Sequence, residues 1–132
     1  MLLTISSLLL DEMIDAAAAK PDAEICGLLL GQGASVEAVL PCANIAASPG
    51  DSFEIDPAAL IAAHRAARNG GPTVIGHYHS HPRGPAEPSA RDAAAAEPGS
   101  YWIIIAGRDV RCWLAATEGR FVPVGLSALR NS

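Results

Sequence analysis

The chain has few cysteines, few basic residues and no long hydrophobic run. Its three cysteines, Cys26, Cys42 and Cys112, are odd in number, widely spaced and set in apolar surroundings. Such a set indicates reduced thiols in the core of a cytoplasmic protein rather than a disulfide framework. With fewer than four cysteines, the chain also cannot supply a closed zinc site of four thiolates.

Basic residues are outnumbered by acidic ones. Nine Lys and Arg residues stand against 14 Asp and Glu residues, which gives a formal net charge of −5. Eight of the nine cations are Arg, scattered from Arg65 to Arg130. This distribution offers no basic patch to a phosphate backbone, so nucleic-acid binding is disfavoured.

The apolar segment at the start of the chain is short. No basic residue stands within it, and Asp11 and Glu12 interrupt it before it reaches the length of a membrane span. We therefore expect no signal peptide, no transmembrane helix and no membrane partner.

The 132 residues, half of them hydrophobic, predict a single domain over residues 1–132. A chain of this length buries about two-thirds of the surface that its unfolded form exposes, so it can fold without disulfides or a structural metal. A metal bound to this chain is therefore expected to serve chemistry.

Local signals predict three helices and at least six strands. Ser6 or Ser7 can cap a first helix that Pro21 ends, and Asp56 followed by Pro57 opens a second. Helices are predicted at residues 8–20, 58–68 and 89–96, and strands at 2–5, 24–31, 36–40, 73–75, 101–106, 110–116 and 121–124. We expect an α+β (α/β layered) fold in which about three helices flank a mixed central β-sheet.

Three of the four histidines lie within five residues of one another. His77, His79 and His81 alternate along the extension of the strand that begins at Thr73, so all three side chains can face one way. Any neighbouring pair can reach one metal ion, and spacing alone does not choose between the pairs. The alternatives to a metal site are that the histidines lie at a solvent-exposed strand end or form a hydrogen-bonded polar cluster.

Asp92 follows the histidines after a proline-bounded loop. The first turn of a helix there can bring its carboxylate back over the end of the strand. Two imidazoles and a carboxylate suit a zinc ion with water as the fourth ligand, which is typical of hydrolytic sites. Ser89-x-x-Asp92 is also a helix cap, and both roles can hold together. His64 has no partner in sequence and is interpreted as a surface or packing residue of its helix.

These residues resemble a known family. His79-Ser-His81, seven residues, and Ser89-x-x-Asp92 match the JAMM (MPN+) metalloprotease motif H-x-H-x(7)-S-x(2)-D at every position. The segment from Glu24 to Gly31 is similar to the one that supplies the family's catalytic glutamate. Weaker similarities lie at Asn44, at residues 53–57 and at residues 76–79, so the resemblance covers nearly the whole chain. It is closest to the small, stand-alone prokaryotic members.

The resemblance implies the roles of the site residues. It makes His79, His81 and Asp92 the ligands of one Zn²⁺ per chain, Glu24 the general acid/base, and Ser89 an assisting catalytic residue. His77 is not a ligand position of the family and is expected beside the ligands or on the surface. Glu87, next to the motif, is the local alternative to Glu24.

The resemblance also implies the activity. We expect a zinc metalloprotease or isopeptidase, similar to deubiquitinases, that cuts after the C-terminal Gly-Gly of a ubiquitin-like or sulfur-carrier protein. A non-catalytic metal-binding scaffold and a zinc amidohydrolase acting on a small amide are the alternatives. A nucleobase deaminase is disfavoured because Pro41-Cys42 lacks a second nearby cysteine. The identity of the carrier, the linear or branched nature of the bond, the pathway and the oligomeric state, a homodimer included, stay open.

Overall fold

The computed structural model describes residues 1–129, so Arg130 lies outside the described residues. Three helices are present: α1 (Ser7–Ala19), α2 (Pro57–Arg68) and α3 (Ala90–Ala95). The seven strands are β1 (Leu2–Ser6), β2 (Cys26–Gln32), β3 (Ser35–Cys42), β4 (Thr73–Ser80), β5 (Tyr101–Ala106), β6 (Asp109–Ala115) and β7 (Phe121–Leu129).

Each helix begins at a polar side chain that accepts a backbone N–H of the first turn. Ser6 accepts from Leu9 at the start of α1, and Asp56 accepts from Ala58 at the start of α2, where Pro57 occupies the first helical position. These caps satisfy donors that have no partner within the helix, which is why the helices start where the sequence predicts.

The strands form one closed sheet in the order β1-β3-β2-β4-β5-β6-β7. β1 closes it, because β1 pairs in parallel with β7 over five residues and with β3 through Thr4 and Ser35. The α+β class and the mixed sheet are as predicted. The expected central sheet flanked by helices is wrong in its arrangement, because the pairing of β1 with both β3 and β7 is a long-range contact that no local signal reports.

Smaller differences lie at the strand ends. β7 continues past the predicted residue 124 to Leu129. Between β3 and α2, Asn44 and Ile55 form an isolated antiparallel bridge. Among the described residues, no helix has the length and apolar character needed to cross a membrane.

The two faces of the sheet have different surroundings. On β5, Ile103 and Ile105 join the main hydrophobic cluster, to which α1 contributes Met13. Because side chains alternate along a strand, Trp102 points to the opposite face, where it contacts the histidines of β4. The histidines therefore stand on the face opposite the main core.

β4 lies in the middle of the sheet, antiparallel to β2 and parallel to β5. Gly76 makes this pairing possible, because a Cβ atom there would collide with the backbone of Tyr101. The pairing of β2 with β4 aligns Cys26 with His79. It therefore brings Glu24, which precedes β2, toward the last residues of β4.

Candidate metal centre and active site

Three ligand atoms converge where β4 ends. His79 Nε2 and His81 Nε2 are 2.9 Å apart, and Asp92 Oδ2 lies 3.3 Å from the first and 3.2 Å from the second. His79 and Asp92 are almost fully buried. Three atoms with lone pairs held this close in a buried position form a candidate metal centre.

The helix cap of α3 sets the position of Asp92. Ser89 N–H donates to Asp92 Oδ2 at 2.8 Å, and Asp92 N–H donates to Ser89 Oγ at 3.1 Å. This reciprocal pair is a capping box, with Asp92 at the third helical position. The cap and the proximity to the histidines therefore coexist, as the sequence predicted.

The loop between β4 and α3 is held at two points. His81 Nδ1 is 2.8 Å from the Pro85 carbonyl, and Trp113 Nε1 donates to the Ala86 carbonyl at 3.1 Å. A carbonyl can only accept, so Nδ1 of His81 carries a proton, and in the neutral imidazole Nε2 keeps the lone pair. Such a bond from the outer nitrogen is typical of metal-binding histidines.

The three atoms fit a zinc ion. A tetrahedral zinc with ligand distances of about 2.0–2.1 Å requires neighbouring ligand atoms about 3.3 Å apart. The two distances to Asp92 Oδ2 match this value, and the distance between the imidazole nitrogens is a little shorter. The donor set leaves one tetrahedral position without a protein ligand.

Glu24 stands beside this group. A carboxylate oxygen of Glu24 and the ligand atoms of His79 and His81 all lie within 4.8 Å of one another. Glu24 is only 6% exposed. The structure therefore brings together all the residues predicted for the site, with Glu24 adjacent to the histidines.

The pKa values of the two carboxylates of the site shift in opposite directions. Burial raises the pKa of Glu24 from 4.5 to about 7, an effect that the charges of Asp92 and Asp51 increase and that His81 opposes. Burial also acts on Asp92, but the hydrogen bonds from His79 and His81 and the N–H of Ser89 hold its pKa well below its usual range. Asp92 is thus ionised at neutral pH, whereas Glu24 can exchange a proton there.

The pKa values of the His79 and His81 imidazoles shift in opposite directions. Burial lowers the pKa of His79, despite its bond to Asp92. Burial works in the same direction on His81, but the hydrogen bonds to Asp92 and to the Pro85 carbonyl, together with nearby negative charge, raise its pKa. A neutral His79 has a lone pair available for a metal.

An aromatic layer supports the ligands from the side. Phe53 stacks on His79 with ring centroids 4.3 Å apart, and Trp102 meets the same imidazole edge-on at 5.6 Å. Trp102 is itself fixed by a hydrogen bond from its Nε1 to Ser100 Oγ. These contacts restrict the rotation of His79 and exclude water from one side of the centre.

Three further residues raised by the sequence lie outside the ligand group. His77 is half-buried against Trp102, with ring centroids 4.2 Å apart, and burial lowers its pKa to about 4. His64 is exposed on α2, as expected of a surface residue. Glu87 is also exposed, and none of the hydrogen bonds or ion pairs within residues 1–129 involves its side chain.

Sequence reasoning missed two contributors. Ser80, between the two histidines, accepts the Ile25 N–H with its Oγ at 2.9 Å and donates its own N–H to the Ile25 carbonyl at 3.0 Å. It thereby fixes the chain next to Glu24 against the end of β4. Trp102 was missed because a tryptophan in an apolar strand carries no local signal for a site formed by residues elsewhere in the chain.

A cavity of about 660 Å³ adjoins the aromatic layer. Phe53, His77 and Trp102 form the wall nearest to the ligand group, and Leu60 and His64 of α2 form the other side. Its walls are mostly apolar, and none of the three ligand residues lines it.

The sequence is similar to a protein family and to two named relatives. Residues 6–116 match the family described as prokaryotic homologs of the JAB domain. A desampylase from Haloferax volcanii is 36% identical over 99 residues, which cover 74% of this chain and 71% of the relative. A probable TtuB-protein conjugate cleaving protease from Thermus thermophilus is 39% identical over 79 residues, or 60% of this chain and 53% of the relative.

The fold also matches a solved structure. The solution structure of a protein from Desulfitobacterium hafniense superposes with a TM-score of 0.82 and 29% identity, and the match covers 99% of this chain and 94% of the other. Because the family match spans most of the chain and the relatives are hydrolases, the chain belongs to the prokaryotic JAB-domain family and is a small hydrolase of the JAMM/MPN type.

Proposed function

We propose that this protein is a zinc-dependent isopeptidase or peptidase that cuts after the C-terminal Gly-Gly of a ubiquitin-like or sulfur-carrier protein. The observation that carries the proposal is the triangle of His79 Nε2, His81 Nε2 and Asp92 Oδ2, whose edges suit one tetrahedral ion. Three such ligands would hold one zinc per chain and leave the fourth position to water.

The two imidazoles and the carboxylate of Asp92 are the proposed ligands of the ion. Asp92 is ionised and hydrogen-bonded through the cap of α3, and His81 is held in one tautomer by Pro85. When bound, zinc lowers the pKa of a water in its open position and polarises a substrate carbonyl.

Glu24 is the proposed general acid/base. Burial raises its pKa, which favours a group that accepts a proton from the attacking water and returns it to the departing amine. Asp92 cannot take this role, because its carboxylate stays ionised and its Oδ2 already accepts the Ser89 N–H. The two acids therefore differ in task because they differ in surroundings.

Ser89 is the proposed oxyanion donor. Its Oγ accepts the Asp92 N–H, and a hydroxyl that accepts one bond still has a proton to donate. Its exposed position at the end of the loop lets that proton meet negative charge that develops on a substrate oxygen.

The substrate class rests on the relatives and on the cavity. The Thermus relative is named as a probable protease that cleaves TtuB-protein conjugates, and the Haloferax relative is named a desampylase. The cavity beside Phe53 and Trp102 offers a mostly apolar surface next to the aromatic layer, on which an extended tail can lie. Gly-Gly is the tail that passes such a crowded site most easily, because it has no side chains.

The test uses a set of protein substrates. Ubiquitin and several small sulfur-carrier proteins, each joined after Gly-Gly to a reporter lysine or to a reporter chain, are incubated with the zinc-loaded protein, and mass spectrometry locates the cut bond. We expect release of at least one carrier ending in Gly-Gly, and no release when Gly-Gly is replaced by Ala-Ala. Cleavage of none of them, or cleavage at another bond, would overturn the proposal.

Glu24→Gln provides the matched control for chemistry. It removes the proton acceptor and leaves the three proposed ligands untouched. We expect cleavage to fall by about 10²–10⁴-fold while zinc is retained, the usual contribution of a general acid/base. A Glu24→Gln protein that cleaves at the wild-type rate would refute the role of Glu24.

A further inference from the structure

We propose that Asn44 is a positioning residue that fixes Glu24 for proton transfer. The inference rests on the proposed function, because it concerns the residue that acts as general acid/base there. Asn44 lies between β3 and α2, 20 residues from Glu24 in sequence, and its side chain touches none of the three proposed ligands among the contacts of residues 1–129.

Glu24 needs support from outside the sheet. β2 begins at Cys26, so the backbone of Glu24 lies beyond the ladder that holds the strand. Its N–H donates to the Pro49 carbonyl at 2.7 Å, and its carbonyl accepts from Asn44 Nδ2 at 2.9 Å. Both backbone groups of Glu24 therefore depend on residues 44–52.

The Asn44 amide uses all of its hydrogen-bonding capacity in this loop. Nδ2 donates to the carbonyls of Glu24 and Ser52, at 2.9 and 3.0 Å. Oδ1 accepts the N–H groups of Ala46 and Glu54, at 3.0 and 3.1 Å. An asparagine amide has two donor hydrogens and one oxygen with two lone pairs, so all four positions are occupied.

These bonds link Glu24 to the rest of the site. The same loop carries Pro49, which accepts the Glu24 N–H, and continues to Phe53, which stacks on His79. The loop is irregular, with a single backbone bridge from Asn44 to Ile55. The Asn44 amide thus acts together with Ser80 and Pro49 to position the proposed proton acceptor relative to the proposed metal ligands.

No other side chain of similar size can replace this group. Aspartate keeps the two acceptor bonds but loses both donor hydrogens, and its charge would face the carbonyls of Glu24 and Ser52. Alanine loses all four bonds. Serine at position 52 offers the matched control, because its Oγ donates only to the Ser48 carbonyl, and the Asn44 bond uses the backbone of Ser52.

The experiment compares Asn44→Ala, Asn44→Asp and Ser52→Ala with the wild type and with Glu24→Gln. The probe is a small ubiquitin-like protein whose C-terminal Gly-Gly is joined through an isopeptide bond to the lysine of a rhodamine-labelled peptide, and cleavage is followed by fluorescence polarisation. Zinc affinity is measured by competition with a chelator. The exchange rate of the Glu24 amide proton is measured by NMR.

Both Asn44 variants are expected to lose about tenfold to hundredfold in kcat, the size of effect that a displacement of about 1 Å produces in a catalytic group. KM and zinc affinity should stay within about twofold, since the substrate contacts and the ligands are unchanged. The Glu24 amide should exchange faster in Asn44→Ala. Ser52→Ala should behave as the wild type.

Three outcomes would overturn the inference: a wild-type kcat in both Asn44 variants, an equal loss in Ser52→Ala, or a parallel loss of zinc affinity, KM and kcat that marks a general structural defect. Asn44→Asp keeps the test decisive if Asn44→Ala does not fold, because it retains the two acceptor bonds. A fully active Glu24→Gln protein would instead refute the proposed function, so the two failures are distinguishable.

Discussion

At the scale of single residues, the site depends on two carboxylates with opposite properties. Asp92 accepts bonds from two imidazoles and a backbone N–H, and its pKa falls. Glu24 is buried with other acidic groups nearby, and its pKa rises to about 7. A pair of acids separated in this way is typical of a site in which one binds a cation and the other transfers a proton.

Burial of Glu24 predicts that the free energy of unfolding of the metal-free protein depends on pH. Because the pKa of Glu24 is 4.5 when unperturbed and about 7 in the fold, the folded state holds the proton more tightly. The free-energy cost is absent below about pH 4.5, grows between pH 4.5 and 7, and levels off above pH 7 at on the order of 3 kcal/mol. In the presence of a chelator, Glu24→Gln should therefore be more stable than the wild type at about pH 8.

Denaturant unfolding across pH measures this difference. The stabilisation by Glu24→Gln should vanish near pH 4.5. Glu87→Gln is the control, since Glu87 is exposed and the same change there should have no effect on the free energy of unfolding. A Glu24→Gln protein that is less stable than the wild type at all pH values would contradict the account of burial.

His77 is predicted to be dispensable for the metal. Its ring contacts Trp102 and Phe53, and it stands outside the group of close ligand atoms. We expect His77→Ala to keep the zinc content of the wild type, as measured by elemental mass spectrometry. His79→Ala, the matched change two residues along the same strand, should lose the metal. Loss of zinc in His77→Ala would show that the wrong pair of histidines had been chosen.

At the scale of elements, the sequence predicts what its local signals encode. The caps at Ser6, Asp56 and Ser89 place the starts of all three helices, and alternation places the strands that carry the histidines. The proximity of His79, His81 and Asp92 could be predicted because these three residues lie in one continuous strand, loop and helix. The contribution of Asn44 could not, because its effect requires knowing where residues 44–54 lie relative to Glu24.

The pairing of β4 with β5 depends on a single glycine. A Cβ atom at Gly76 would meet the backbone of Tyr101, which cannot move without separating the two strands. We expect Gly76→Ala to lower the free energy of unfolding by about 1–3 kcal/mol or more, the usual cost of overpacking. Gly84→Ala is the control, because a Cβ there meets only His81 atoms at ordinary contact distance. Equal stability of the two variants in urea unfolding would contradict this role of Gly76.

At the scale of the whole molecule, the fold class is predictable and the closure of the sheet is not. The numbers of helices and strands predicted from the sequence are sufficient to identify the α+β class. Closure depends on β1, whose five residues pair with β7 and, through Thr4, with Ser35 of β3. These partners lie 31 and more residues away in sequence, and nothing in the composition of β1 identifies them. The prediction of a central sheet flanked by helices is wrong because it does not include the closure of the sheet by β1.

The most direct test of the central claim is the amount of zinc bound to the wild-type chain. The protein is purified without a histidine tag or chelator, and zinc is measured by elemental mass spectrometry. The geometry of His79, His81 and Asp92 predicts about one zinc per chain. A chain that holds no zinc, even after zinc is added back, would contradict the assignment of these residues as a hydrolytic metal centre.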